Sequence, residues 1–303
     1  MNKRIIEIGH AASLGVWHRQ LRIQRPEMDE VTAPLEDLGV LVLDHPAIHL
    51  SFALLRECAK ENIALIVNDE HHLPVGILSP LAGHSLHAQS LHAQVALKAP
   101  QGKRLWQAIV KAKIREQAKA LALVSAHPIN EVEYVKKVVS GDPSNIEAQF
   151  AKLYWPKMMG SGFRRGGHQG GVNACLDYGY ALLRSLCARA LCATGLHPAL
   201  GLHHRNQYDA HALADDLMEP LRPLADLEAF KIRVEKESED FELDQLVRHR
   251  LLGLLTGTCL LNGAQMPIFV GVERYAASLK QVIMGETKTL EIPEFVRHQS
   301  ENL

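Results

Sequence analysis

The first eighty residues carry the periodicity of strands. Residues 4–9 (RIIEIG) read as a short strand, and 14–17 (LGVW) and 20–25 (QLRIQR) alternate apolar with polar side chains at a period of two. Residues 38–43 (LGVLVL) and 63–67 (IALIV) are unbroken apolar runs, which suit strands covered on both faces. Between them, 51–60 places Phe52, Leu55 and Ala59 on one helical stripe. Pro74 cannot donate to a ladder, so 73–78 reads as an edge strand or its connection. Together these elements predict a small α/β or β-sandwich module.

The pattern changes over residues 80–100, where strand signals stop and the stretch reads as a linker running into a helix. From Lys103 onward the period is helical. Over 103–123, Trp106, Ile109, Val110, Lys113, Ile114 and Gln117 form one stripe, and six Lys and Arg residues make this the most basic helix of the chain. Such a run is either a solvated face or a phosphate-contacting one. Further helices are predicted over 131–140, 146–154, 173–194, 213–219, 227–234, 244–259 and 275–285. Ser144 or Asn145 can cap the helix at 146 after the turn GDPSN, and Gly195 stops the helix before it. Residues 286–303 read as loosely held. The expected fold class is therefore α+β and multidomain. A small β-rich N-terminal domain (1–80) and a linker (81–100) precede a large all-α C-terminal domain (101–290) and a tail (291–303).

Composition narrows the function classes. Of 303 residues, 47% are hydrophobic and 22% charged, which builds an ordinary core, and the net charge of −1 gives no global basic excess, so any nucleic-acid contact must come from local patches. The five cysteines show no C-x-x-C spacing, which points away from a disulfide framework or a thiolate zinc site and fits a reducing compartment. No apolar run approaches membrane-spanning length and the N-terminus has no signal-peptide pattern, so the expected location is cytoplasmic, with no membrane partner.

The chemistry-bearing stretch is GLHHRNQYDAHALADDLMEP, residues 201–220. His203 and His204 open it, and Asp216 and Glu219, three apart, leave the same face of a helix. Glu147 stands in the first turn of the helix at 146, where a carboxylate also suits the helix dipole without any function. Two carboxylates and one imidazole can hold a divalent cation with positions left open for water and a phosphate oxygen, a site for phosphoryl chemistry. Oxygen ligands favour Mg²⁺, and an imidazole shifts preference toward Mn²⁺. The competing reading makes these residues helix-end charges. The glycine-rich loop at 160–171 lacks phosphate-loop spacing, but Arg164 and Arg165 on it can clamp a phosphate backbone.

The motifs GDPSNIE (141–147) followed by Phe150 and Tyr154-Trp155, VNACLDYGYALLR (172–184), GLHPALGLHH (195–204) and LADDLMEP (213–220) together resemble the CRISPR-associated endonuclease/integrase family, the DNA-integrating subunit of spacer acquisition, in a form like that of type II systems. The resemblance covers nearly the whole chain. It implies a β-rich N-terminal domain that forms a homodimer and a helical catalytic domain. It implies metal ligands and catalytic groups at Glu147, His204 and Glu219, with Asp216 as an accessory group. His204 is preferred over His203 because the family pattern reads Gly-x-x-His. It further implies DNA contacts from Arg164, Arg165 and the basic helix around Lys113 and Arg115. The implied partners are double-stranded DNA (a foreign fragment and the CRISPR repeat), a small adaptation subunit and the type II effector nuclease, with Mg²⁺ or Mn²⁺ as cofactor. The implied reaction joins the 3′-hydroxyl of a short foreign fragment to the repeat by transesterification. A near-neutral pI departs mildly from what a DNA binder suggests. A phosphodiesterase that cuts without joining, and a non-enzymatic DNA-binding scaffold, are the alternatives that the residues leave open.

Overall fold

A computed structural model describes residues 3–70, 72, 74–78, 80, 85–125, 128–166, 170–204 and 206–296. The N-terminal part holds strands β1 (Arg4–Ile8), β2 (Ala12–Trp17), β3 (Gln20–Gln24), β4 (Val31–Pro34), β5 (Leu38–Leu43) and β6 (Ile48–Leu50), then helix α1 (Phe52–Lys60) and strands β7 (Ala64–Asn68) and β8 (Pro74–Leu78). They form two four-stranded sheets, one in the order β1-β5-β7-β8 and the other β4-β3-β2-β6. β1, β5 and β7 run parallel, and β8 pairs antiparallel at the edge, the one place where Pro74 interrupts nothing. The short strands β4 and β6 have no periodicity long enough to be read from sequence.

The apolar run of β5 is fully buried because it faces two cores at once. Val40 and Val42, with Ala64 and Ile66 of β7, pack into the large core shared with the helices. Leu41 and Leu43, with Leu65, pack into a smaller core beneath α1 and the second sheet. Ions lock the same junction. Arg248, 7% exposed, reaches Asp44 at 3.2 Å, and Arg189 of the central helix donates to the Asn62 carbonyl and to Glu273, both at 2.8 Å.

The rest of the described chain is mostly helical: α2 (His87–Val95), α3 (Ala99–Val124), α4 (Val132–Lys137), α5 (Ile146–Met159), α6 (Gly171–Thr194), α7 (Ala212–Met218), α8 (Arg222–Lys236), α9 (Gln245–Leu252) and α10 (Ile268–Ile283). α6 is the axis, packed by α7, α8, α9 and α10. It comes so close to α8 that a Cβ on Gly179 would stand 2.9 Å from the Ala225 methyl, so only glycine fits. Part of the expected linker is ordered helix: α2 lies in it, and Gln94 bonds the His197 backbone twice. Residues 81–84 of that linker, Leu73 of the edge strand and 167–169 of the glycine-rich loop lie outside the described residues, as does the tail beyond 296.

Two expectations are corrected. The helix predicted over 244–259 ends at Leu252, and the chain continues through a 3₁₀ turn into an antiparallel hairpin, β9 (Thr258–Leu261) and β10 (Ala264–Pro267). Asn262 and Gly263 both take positive φ at its tip, a dipeptide turn signal inside an otherwise apolar stretch. The segment expected to be a loose tail is held as far as Val296. Leu260 and Glu294 exchange backbone hydrogen bonds, and Phe295 and Val296 are buried. Their N–H groups donate to one oxygen of Glu116 on α3, at 2.9 and 2.6 Å. Among the described residues no helix is long and apolar enough to cross a membrane, and no two cysteines are joined.

Glu116 is buried, and burial pushes its carboxyl above the usual range despite Lys119 and the two N–H donors. Glu116→Ala should therefore leave two amides without an acceptor and cost about 2 kcal/mol. In hydrogen exchange, Phe295 and Val296 should lose protection while the α6 amides keep theirs. Unchanged exchange at both residues would contradict this anchoring.

Candidate functional site: two carboxylates, a histidine and a bridging lysine

Four elements bring the site together. The turn GDPSN fixes Glu147. Asp142 accepts from the Ile146 and Glu147 N–H groups, both at 3.0 Å, and Asn145, in left-handed backbone, caps the Ala148 N–H at 3.3 Å. Gly141, also at positive φ, donates its N–H to the Lys103 carbonyl, which ties the turn to α3. The carboxylate of Glu147 is thus delivered from the first turn of α5, with its backbone clamped on both sides.

The histidine loop is organised by Asp216, which is fully buried on α7. Its carboxylate accepts from the N–H groups of Leu202 (2.6 Å), His203 (3.0 Å) and His204 (3.3 Å) and contacts His204 Nδ1 at 2.6 Å. The loop is so tight that a Cβ on Gly201 would meet the His204 carbonyl at 2.2 Å. With Nδ1 held by a carboxylate, His204 has Nε2 left for another partner, which is the usual support of a metal-ligating imidazole. The bond from Asp216 is also the main reason that the His204 pKa is raised. His203 is used differently: its ring stacks on Trp106, centroids 4.1 Å apart and nearly parallel. His204 also lines an open cleft of about 520 Å³ walled by Lys98, Leu200, Asn206 and Gln207.

Glu219 follows α7 directly, at the start of the 3₁₀ segment Glu219–Leu221, and is 3% exposed. Burial pushes its carboxyl up, but Lys113 and Arg222 outweigh burial and hold it down at about 2. Arg222 donates to it at 2.8 Å and lies over the Tyr180 ring, 4.5 Å from its centroid. Behind Arg222, Tyr154 and Tyr180 both donate to the buried Asp226, Tyr154 at 2.8 Å. Asp226 is pushed up to about 6 by burial, against the two phenols and the nearby cations.

Lys113 is the residue whose role the sequence misplaced. It is 8% exposed, and its ammonium contacts both Glu147 and Glu219. It stands on the buried stripe of α3, not on the helix's exposed basic face. Arg115, two residues on and so on the opposite side of the helix, is exposed. Arg164 is exposed as well, and its carbonyl accepts from Asn173. Arg165 is tied down: it pairs with Asp177, donates to Asn173 at 3.1 Å and lies over Tyr180, 5.3 Å from its centroid. Arg222 and Asp226 lie outside the predicted site, and Tyr154 and Tyr180 stand in the motifs of the resemblance without a role assigned to them. The i, i+3 spacing of Glu219 and Arg222 was the one signal available for them.

Among the described residues, no three His, Cys, Asp or Glu side chains already converge as a ligand set. The Lys113 ammonium stands between the two carboxylates. The donor set itself suits a hard or borderline dication: two carboxylates and the Nε2 of an imidazole held through Nδ1. Glu219 Oε2 is buried and makes no hydrogen bond of proper geometry, meeting only the ammonium.

Asp216→Asn should weaken the grip on three backbone N–H groups and on His204, costing about 3 kcal/mol. The His204–Asp216 pair raises the folded-state pKa, so its stabilisation is full below the pKa of an ordinary imidazole and is lost as pH rises through the raised value. In Asp216→Asn the His204 pKa, followed by NMR titration, should fall toward the ordinary value and this pH dependence should vanish. An unchanged titration would contradict the role of Asp216.

Comparison with known proteins gives the family and the fold. Residues 8–251 match the family model described as CRISPR associated protein Cas1. The chain is 32% identical to the CRISPR-associated endonuclease Cas1 of Neisseria meningitidis serogroup C (strain 8013), covering 98% of this chain and 97% of that protein. Among solved structures, a casposase bound to integration product has the same fold, with a TM-score of 0.80 at 16% identity over 100% of this chain and 96% of that one. So does a chain of a Cas6-RT-Cas1–Cas2 complex, with a TM-score of 0.72 at 17% identity over 98% of this chain and 36% of that one. The chain belongs to the CRISPR-associated Cas1 family.

Proposed function

We propose that this protein is a metal-dependent DNA integrase of CRISPR adaptation, which joins the 3′-hydroxyl of a short foreign fragment to the edge of a CRISPR repeat. One observation carries the reading: Glu147 and Glu219, from different helices, converge on a single cation, with His204 coupled electrostatically to Glu219 and braced by Asp216. The full-length likeness to a named Cas1 endonuclease supports it, as does the shared fold of a casposase bound to integration product.

Glu147, His204 and Glu219 would hold Mg²⁺ or Mn²⁺. Bound there, the ion would supply Lewis-acid stabilisation of charge on the attacking, non-bridging and leaving oxygens. In the joining reaction the fragment's 3′-oxygen forms a bond to phosphorus as the bond to the repeat's own 3′-oxygen breaks. The proton passes from the attacking hydroxyl to the departing oxygen by way of solvent. The count of phosphodiester bonds is unchanged. With water as nucleophile the same site cuts.

Asp216 fixes the ring angle of His204. Lys113 and Arg222 hold Glu219 ionised, and Arg165, paired with Asp177, lies over the same Tyr180 ring. Arg164 and Arg115 are exposed and would meet phosphates farther out. The remaining parts of the reading are a homodimer formed through the β-rich region, a small adaptation subunit of the kind named in the Cas1–Cas2 complex, the type II effector nuclease and a cytoplasmic location.

The test is an integration assay. Purified chain, with and without the small adaptation subunit, is mixed with a 3′-OH duplex and a supercoiled plasmid bearing a CRISPR repeat, in Mn²⁺ or Mg²⁺. Metal-dependent joining is expected, and Glu219→Gln and His204→Ala should each lower it by roughly 100-fold or more. Cutting without joining would replace this reading with a phosphodiesterase. Neither product, with DNA binding intact, would leave a scaffold.

A further inference from the structure

Lys113 is a buried cation that the joining reaction as described above does not use. Its stem runs along the core-facing stripe of α3 between Val110 and Ile114, so only the ammonium reaches polar groups. Its side chain is 11% exposed and that of Glu219 is 4% exposed. Burial alone would favour a neutral amine, yet the pKa of Lys113 is raised because Glu219 and Glu147 outweigh burial. Among the described residues, the other charged groups near it are Arg222 on Glu219 and Asp226 one layer deeper, with His204 acting on Glu219. A second buried cation this close to Arg222 is tolerated only while both carboxylates balance it.

Lys113 holds Glu147 Oε1 and Glu219 Oε2, and Arg222 holds the other oxygen of Glu219, so a divalent cation taken up by the same two carboxylates would stand beside that ammonium. Two cations in contact in a partly desolvated site repel strongly. The long, flexible lysine stem can move, whereas Glu147 and Glu219 are held by their backbones. We propose that Lys113 is a built-in competitor for the divalent cation: its ammonium keeps Glu147 and Glu219 paired and must leave them when the ion binds. The residue thereby sets how much metal is needed to load the site. This rests on the reading of Glu147 and Glu219 as the metal ligands.

The experiment measures Mn²⁺ binding to the full chain at fixed pH by electron paramagnetic resonance of free Mn²⁺, without DNA. Lys113→Gln should bind Mn²⁺ about ten-fold more tightly or better than the wild type, because a competing charge has gone. An equal or weaker affinity in Lys113→Gln overturns the proposal. Wild-type protein gives a second readout that does not depend on the variant folding. Acetylation of Lys113 by an amine-reactive reagent, followed by mass spectrometry of its peptide, should rise several-fold when Mn²⁺ saturates the site. Unchanged labelling overturns the proposal as well. Glu219→Gln separates the two ideas: Mn²⁺ binding that survives it, or no Mn²⁺ binding by any of the three chains, removes the ligand reading and the proposal with it.

Discussion

One buried ion contact organises the functional half of the molecule: the Lys113 ammonium against the carboxylates of Glu147 and Glu219. Three helical elements that share no local sequence meet at it. α3 brings the cation, the first turn of α5 one anion, and the 3₁₀ segment after α7 the other. Arg222 adds a second cation to Glu219, and the Tyr154–Asp226–Tyr180 group closes the floor beneath. Buried charges of this density persist only when each is matched, since breaking such a pair costs about 3–5 kcal/mol. Around them α6 is packed on several sides, and the β-rich sheets share its core through β5 and β7.

The histidine loop shows how a short polar stretch is made specific. His203 and His204 are adjacent and chemically identical, yet Asp216 braces one and Trp106 stacks the other. A buried carboxylate that collects three backbone N–H groups fixes the loop first, and the orientation of His204 follows from it. Gly201 permits this geometry because any side chain there would collide with the His204 carbonyl.

Much of this was legible in the sequence. The period-two and unbroken apolar runs located most strands of the two sheets, and the 3.6-residue period located α3, α5 and α6, because these elements have one or two long buried faces. The fold class followed from the order of those periods. The hairpin at β9–β10 was missed because its strands have four residues each, too short for alternation to register. The hold on Phe295 and Val296 was missed because it depends on Glu116, 179 residues away along the chain from Phe295. The stripe that holds Lys113 was visible, but a lysine counted among basic residues reads as surface charge. Nothing local shows that two distant carboxylates are waiting for it. The pairing of Arg222 with Glu219 was within reach at i, i+3 spacing, whereas Asp226 and its two tyrosines are joined only by the packing of α5, α6 and α8.

The most direct measurement is anomalous scattering from crystals of the chain grown with Mn²⁺. The structure leads us to expect one strong peak in coordination range of Glu147, Glu219 and His204 Nε2, with the Lys113 ammonium withdrawn from both carboxylates. A peak elsewhere, or a Mn²⁺ ion bound while Lys113 still bridges Glu147 and Glu219, would contradict the idea that these three residues form the metal centre.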